Sequence, residues 1–118
     1  MKTQIKKTGD MVVVSVDGRL DFETATPFRE DLTKLAKETK RDSVPRKIIF
    51  NLENLDFVGS SGISAFVQTL KDFNTQVTNR PRYCNVKSEF KRVIKAFDDA
   101  DIFEFYENED RAKKSFDQ

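Results

Sequence analysis

The sequence predicts an α/β domain: one mixed, mostly parallel β-sheet of four or five strands with about four α-helices. The first observation is a β-branched run over residues 11–16, which is typical of a buried strand. The second is that short apolar strands and amphipathic helices then alternate, in the order ββαβαβαβα, which favours a parallel sheet that carries helices. The third is the length of 118 residues without repeat or linker, so we expect residues 1–118 to form one domain.

The first two strands are predicted to form a hairpin. Residues 3–8 are the edge strand and residues 11–16 are the buried strand, with a tight turn at Gly9. We expect the hairpin to end at Gly18.

A first helix is predicted from Thr24 to about Lys40, because apolar residues recur there at the helical period. The next strand covers residues 46–52. A second helix follows Gly62, where apolar residues again repeat at helical spacing. The apolar face of that helix consists of Ile63, Phe66, Val67, Leu70 and Phe73.

The last third of the chain continues the alternation. Residues 82–86 form the fourth strand, and Ser88 is the predicted N-cap of a third helix. Residues 103–106 form the last strand. Asn108 is the predicted N-cap of a terminal helix, which has acidic residues at its start and lysines at its end, as the helix dipole favours.

Residue counts exclude several classes of function. With 21 basic and 20 acidic residues the net charge is +1, which gives no electrostatic reason to expect nucleic acid as a partner. The chain has no histidine, so it cannot assemble a Ser-His-Asp nucleophile or a histidine-ligated metal site. Its single cysteine, Cys84, has apolar neighbours, and we expect a buried structural thiol. No catalytic residue, metal ligand or cofactor is predicted.

The amino terminus does not have the pattern of a signal peptide, because no apolar run follows its basic residues. The longest apolar runs, residues 11–14 and 48–50, are far shorter than a membrane span. We therefore expect a soluble, cytoplasmic protein without membrane insertion.

The segment Gly59-Ser60-Ser61-Gly62, between a strand and a helix, is the candidate functional site. One explanation is structural: serine is a good N-cap, and glycines relieve a tight turn. The other is functional, since two adjacent serines exceed the need for one cap. The segment matches neither the nucleophile elbow nor a P-loop. A phosphate on Ser60 would instead lie at a helix amino terminus, where the helix dipole favours negative charge.

The chain resembles the STAS domain of bacterial anti-sigma factor antagonists over nearly its whole length. Residues 16–21, VDGRLD, are similar to the family's turn after the second strand. Residues 49–52 followed by 55–58 resemble its central strand and exit loop, and residues 59–63, GSSGI, resemble its D-S-S-G signature. The family's aspartate before the first serine is Gly59 here, and the nearest acidic residue in sequence is Asp56.

The resemblance implies partner switching by a regulator that is not an enzyme. The unphosphorylated domain would bind an anti-sigma factor, itself a serine kinase, and so release the sigma factor. The kinase would phosphorylate Ser60, in preference to Ser61, and a phosphatase would reverse the modification. The implied partner-binding residues are Gly18, Arg19, Asp21, Asp56, Val58, Gly59, Ser60, Ser61, Gly62 and Ile63.

Two alternatives stay open. The chain can be a STAS interaction module of a transporter or stress-signalling complex that is not phosphorylated, which the substitution of Gly59 for the family's aspartate favours. A small nucleotide-binding or hydrolytic enzyme is the other alternative, and the glycines of the candidate segment are its only support.

Overall fold

In the computed structural model, the described residues are 2–21, 23–41, 46–57, 62–98 and 101–117. Within these ranges the order of elements is ββαββαβαβα, which confirms the predicted α/β class and the four helices and adds a sixth strand. The elements are β1 (Lys2–Thr8), β2 (Met11–Leu20), α1 (Ala25–Arg41), β3 (Lys47–Asn51), β4 (Leu55–Phe57), α2 (Ile63–Gln76), β5 (Arg82–Cys84), α3 (Ser88–Ala96), β6 (Glu104–Tyr106) and α4 (Glu109–Ser115).

The sheet has the strand order β1-β2-β3-β5-β6, and β4 pairs with β2 outside this path. Only the β1–β2 hairpin is antiparallel; the other described pairs are parallel. The hairpin turns at Gly9, whose φ of 61° is the backbone that a type II′ turn requires at its first central residue. The mixed, mostly parallel sheet is therefore confirmed.

Strand β2 is longer than the sequence predicted. It continues through Gly18 to Leu20, beyond the predicted residues 11–16, whereas its pairing with β1 ends at Asp17, so the hairpin ends beside Gly18 as expected. The reason for the extra length is a tertiary pairing: residues 11–15 of β2 pair with β3, and residues 18–20 pair with β4. The Gly18 amide also donates a hydrogen bond of 3.0 Å to the Asn54 carbonyl, which draws β4 alongside.

Helices α1, α2 and α3 cover one face of the sheet. Their phenylalanines form a continuous contact, with ring centroids 4.8 Å apart for Phe28 and Phe66 and 5.6 Å apart for Phe66 and Phe90. Beneath them, Tyr83 of β5 stacks on Phe50 at 5.1 Å and donates a hydrogen bond of 2.8 Å to the Asn74 side chain of α2. Aromatic side chains thus fill much of the core on this face of the sheet.

The two helix caps predicted from sequence have different outcomes. Asn108 caps α4 as expected, since its side chain accepts a hydrogen bond of 2.9 Å from the Arg111 amide. The prediction for Ser88 is wrong, because Ser88 is already the first residue of α3. Lys87 occupies the N-cap position with an extended backbone and makes no side-chain cap.

The start of α2 lies directly against the end of β2. A Cβ added to Gly62 would be 2.7 Å from the carbonyl carbon and oxygen of Asp21, which is closer than real Cβ contacts. The absence of a side chain at Gly62 therefore allows the two backbones to meet. The glycine holds the helix that follows the candidate segment at a fixed distance from β2.

Helix α4 covers the opposite face of the sheet, where Ala112 packs against Ile49 and Cys84. Arg82 holds the end of the helix: its Nε donates to the Ser115 hydroxyl at 3.0 Å, and its guanidinium lies 4.0 Å from the centroid of the Phe116 ring. Cys84 is fully buried, as expected. Burial, with a smaller contribution from the negative charge of Glu109, raises the pKa of the Cys84 thiol to about 12.

None of the helices in the described ranges has the length and apolar character needed to cross a lipid bilayer.

Replacing Gly62 with alanine should destabilise the fold by about 1–3 kcal/mol, because the added methyl group must displace the Asp21 backbone. Chemical denaturation gives the free energy of unfolding. The matched control is Ser64→Ala in the same turn of α2, where the side chain is exposed and the expected change is within about 0.5 kcal/mol. Equal free energies of unfolding for the two variants would contradict the close contact between Gly62 and the Asp21 backbone.

Cys84 should not react with a thiol reagent at pH 8 while the chain is folded, because its pKa of about 12 keeps the buried thiol protonated. The same chain in denaturant is the control and should react fully. Because the unfolded thiol ionises near pH 8.5, the free energy of unfolding should also decrease as pH rises above about 8.5 toward 12. Rapid labelling of the folded chain would refute the burial.

Candidate functional site

The candidate site lies where the parallel strands end, which is the position at which α/β sheets commonly place their sites. Gly59, Ser60 and Ser61 of the candidate segment, and Val58 before it, lie outside the described residues. Its two boundaries are described. Strand β4 ends at Phe57, and α2 begins directly after Gly62. The segment therefore connects a strand end to a helix start, as the sequence predicted.

The start of α2 is the amino terminus of a 14-residue helix. Gly62 occupies the N-cap position, where it has no side chain to cap the helix, and the first turn contains no acidic residue. The Gly62 carbonyl accepts the first helical hydrogen bond, 3.0 Å from the Phe66 amide. A helix amino terminus of this kind carries partial positive charge, which favours an anion nearby.

Asp21 has a structural role at the start of α1. Its carboxylate accepts a hydrogen bond of 3.0 Å from the Thr24 amide, and the Thr24 hydroxyl accepts one of 3.0 Å from the Asp21 amide. These reciprocal bonds fix the chain between β2 and α1 in the manner of a capping box. The Asp21 backbone, held in this way, is the surface against which Gly62 packs.

An exposed ion pair flanks the candidate segment. The Lys87 ammonium lies 2.6 Å from the Asp56 carboxylate, and this contact joins β4 to the start of α3. Arg19 is paired in register with Asp56 across the β2–β4 ladder, and both side chains are exposed. Arg19, Asp56 and Lys87 are therefore exposed charged residues at this end of the sheet, in addition to the Asp21 carboxylate at the start of α1.

Ile63 differs from the other predicted contact residues. Its side chain is only 7% exposed and belongs to the main hydrophobic core. Ile63 thus anchors α2 to the sheet, and its side chain does not face a partner in this conformation. Gly18, Arg19 and Asp56, by contrast, are exposed.

Sequence reasoning did not identify Lys87 as part of this region. Lys87 is 31 residues from Asp56, so no local pattern links the two side chains. A general rule could have suggested it, because Lys87 follows the end of β5 and parallel strands end on the same side of a sheet. In the described part of the chain, no group of three or more His, Cys, Asp or Glu side chains is placed to hold a metal ion.

The amino-acid sequence of this chain matches a known protein family. The sequence matches the model of the STAS domain over residues 2–112. The anti-sigma-B factor antagonist of Staphylococcus aureus (strain NCTC 8325 / PS 47) is 39% identical over 61 residues, which are 52% of this chain and 52% of that protein. The chain spans about half the length of the curated relatives it matches.

Two solved structures share the fold. The anti-sigma factor antagonist from Mycobacterium paratuberculosis has a TM-score of 0.74 at 19% identity, with 99% of this chain and 94% of that chain covered. The Bacillus cell fate determinant SpoIIAA, in its phosphorylated form, has a TM-score of 0.65 at 20% identity, with 98% of this chain and 99% of that chain covered. The family model and the shared fold agree over almost the whole chain, and the chain belongs to the STAS domain family.

Proposed function

We propose that this chain is an anti-sigma factor antagonist, a cytoplasmic regulator that is not an enzyme. The observation that carries the proposal is the amino terminus of α2, which follows Ser60 by three residues, has Gly62 without a side chain at its N-cap position, and packs against the Asp21 backbone. The family membership and the name of the Staphylococcus aureus relative support it. The partner is an anti-sigma factor with serine-kinase activity, whose binding releases the sigma factor.

Phosphorylation of Ser60 is the proposed switch, with a phosphatase as the reverse activity. A phosphoserine carries close to two negative charges, and the amino terminus of α2 stabilises such a charge. The nearest acidic residue in sequence, Asp56, is already paired with Lys87. Its repulsion of a phosphate is therefore weakened, and Gly59 adds none.

The proposed partner surface combines the candidate segment with its described neighbours. Gly18 and Arg19 near the end of β2 and Asp56 in β4 supply exposed groups on the paired strands that precede Asp21 and the candidate segment. The phosphate would disturb the complex through charge and volume, because a dianion inserted into a fitted interface must be desolvated or repelled. Folding does not have to change for the switch to work.

Incubation with the cognate kinase and ATP should add one phosphate to the chain, and Ser60→Ala should abolish the addition. Intact-mass spectrometry with site mapping measures the change. The matched control is Ser61→Ala, which removes the neighbouring hydroxyl and should leave the modification intact. Full phosphorylation of the double variant Ser60→Ala/Ser61→Ala would refute the proposed acceptor.

Replacing Ser60 with aspartate should weaken binding to the anti-sigma factor about tenfold or more, which corresponds to roughly 1.4 kcal/mol. The physical reason is the negative charge placed in the contact surface. Calorimetric titration measures the affinity, and Ser60→Asn is the control of similar shape without the charge. Thermal unfolding should be nearly equal for the two variants; an unchanged affinity of Ser60→Asp would count against the switch.

A second candidate function is a STAS interaction module, in a transporter or stress-signalling complex, that is not phosphorylated. The specific observation in its favour is Gly59, which replaces the aspartate of the family signature. This candidate predicts stable binding to a transporter or scaffold component and no modification by a kinase. The phosphorylation experiment above separates the two functions.

A further inference from the structure

Two lysines of α3 share one aromatic ring. The Lys91 ammonium lies 5.3 Å from the centroid of the Phe105 ring, and the Lys95 ammonium lies 5.9 Å from the same centroid. Both distances are within the range of cation–π attraction. The ring of β6 therefore holds two positive charges close together on the surface between α3 and β6.

No carboxylate among the described residues neutralises these two charges, because neither Lys91 nor Lys95 forms an ion pair with one. Two acidic side chains of this part of the chain bind other groups. The Glu104 carboxylate lies 3.7 Å from Arg82, and the Asp98 carboxylate accepts hydrogen bonds from two backbone amides, 2.9 Å and 3.1 Å away.

The rest of α3 does not cancel this positive charge, because Arg92 balances Glu89. Its nine residues contain three cations and one carboxylate, a net charge of 3 − 1 = +2, whereas the whole chain carries +1. Glu89, the single carboxylate, is two residues before Lys91, a spacing that does not bring their side chains together on a helix, but three residues before Arg92, a spacing that does. Arg92 is exposed and lies three residues before Lys95, so it is on the same side of the helix as Lys95.

We propose that the α3–β6 surface, formed by Lys91, Arg92, Lys95 and Phe105, binds an acidic segment of a protein partner. Charge complementarity identifies the occupant: carboxylates would supply the counter-charge that the described part of the chain does not give to Lys91 and Lys95. Phe105 is half-buried and holds both lysines, so less side-chain entropy is lost when they pair. Aromatic and arginine side chains together are also typical of protein interfaces.

This proposal is independent of Ser60 and of the proposed switch. The surface lies on α3 and β6, while the candidate segment connects β4 to α2. A partner can therefore use the α3–β6 surface in either phosphorylation state. Failure of the proposed kinase reaction would leave this inference unaffected. Failure of the acidic segment to bind would likewise leave the proposed switch at Ser60 unaffected.

The test is a titration of the isotope-labelled full chain with a short peptide of aspartate and glutamate, followed by amide chemical shifts. Residues 91, 92, 95 and 105 should shift most, and binding should weaken as the ionic strength rises from about 0.01 M to about 0.1 M, because the Debye length falls from about 30 Å to about 10 Å. The variant Lys91→Gln/Lys95→Gln should lose at least half of the shift change.

The matched control is Lys34→Gln/Lys37→Gln, which removes the same charge from two exposed positions of α1 and should bind the peptide like the unmodified chain. A lysine-rich peptide should cause no shift at the α3–β6 surface. Equal weakening in the two double variants, or shifts spread evenly over all basic residues, would show non-specific attraction and overturn the proposal. Binding of inorganic phosphate without binding of the acidic peptide would overturn it as well.

Discussion

Strand β2 is the constraint on which the rest of the structure depends. Its ten residues bond to three strands: β1 along one side, and β3 and then β4 along the other. Val12, Val14 and Val16 point into the core, and a shift of register by one residue would turn all three toward the other face. The register of β2 therefore fixes where β4 ends and where α2 can begin.

The position of the candidate site follows from this register. The reciprocal bonds between Asp21 and Thr24 set the exit of the chain from β2, and Gly62 packs against that exit. Strand β2, the turn closed by Asp21 and Thr24, and the contact of Gly62 with Asp21 thus determine where the candidate segment begins and ends. None of these contacts involves a catalytic group. Such a rigid frame suits a surface that a partner must recognise in one state and not in another.

Sequence patterns predicted most of the fold because the helices and longer strands have strong hydrophobic periodicity. Strand β4 was missed since three residues are too few to show a period, and its pairing with residues 18–20 is tertiary. The N-cap of α3 was predicted one residue too late, at Ser88. A serine before an apolar run predicts a cap, yet the backbone of Lys87 is already extended and takes the cap position.

The candidate site was predictable in part. The residue types of the Gly59–Gly62 segment indicated its place between a strand and a helix, because glycine and serine have local conformational preferences. The Asp56–Lys87 pair was not predictable, since it joins residues 31 positions apart. Helical periodicity placed Ile63 on the apolar face of α2, whereas the resemblance listed it as a contact residue; the burial of its side chain agrees with the periodicity.

Helix α4 has a dynamic consequence. It has seven residues and depends on Arg82 and the Asn108 cap for its place on the sheet. Short elements with few buried contacts open locally at a lower free energy than the whole domain. Separation of α4 would expose Ile49 and Cys84 together, so one face of the sheet would become solvated while the phenylalanine core stays closed. The amide hydrogens of α4 are therefore expected to exchange with solvent before those of the strands and of the three helices on the other face.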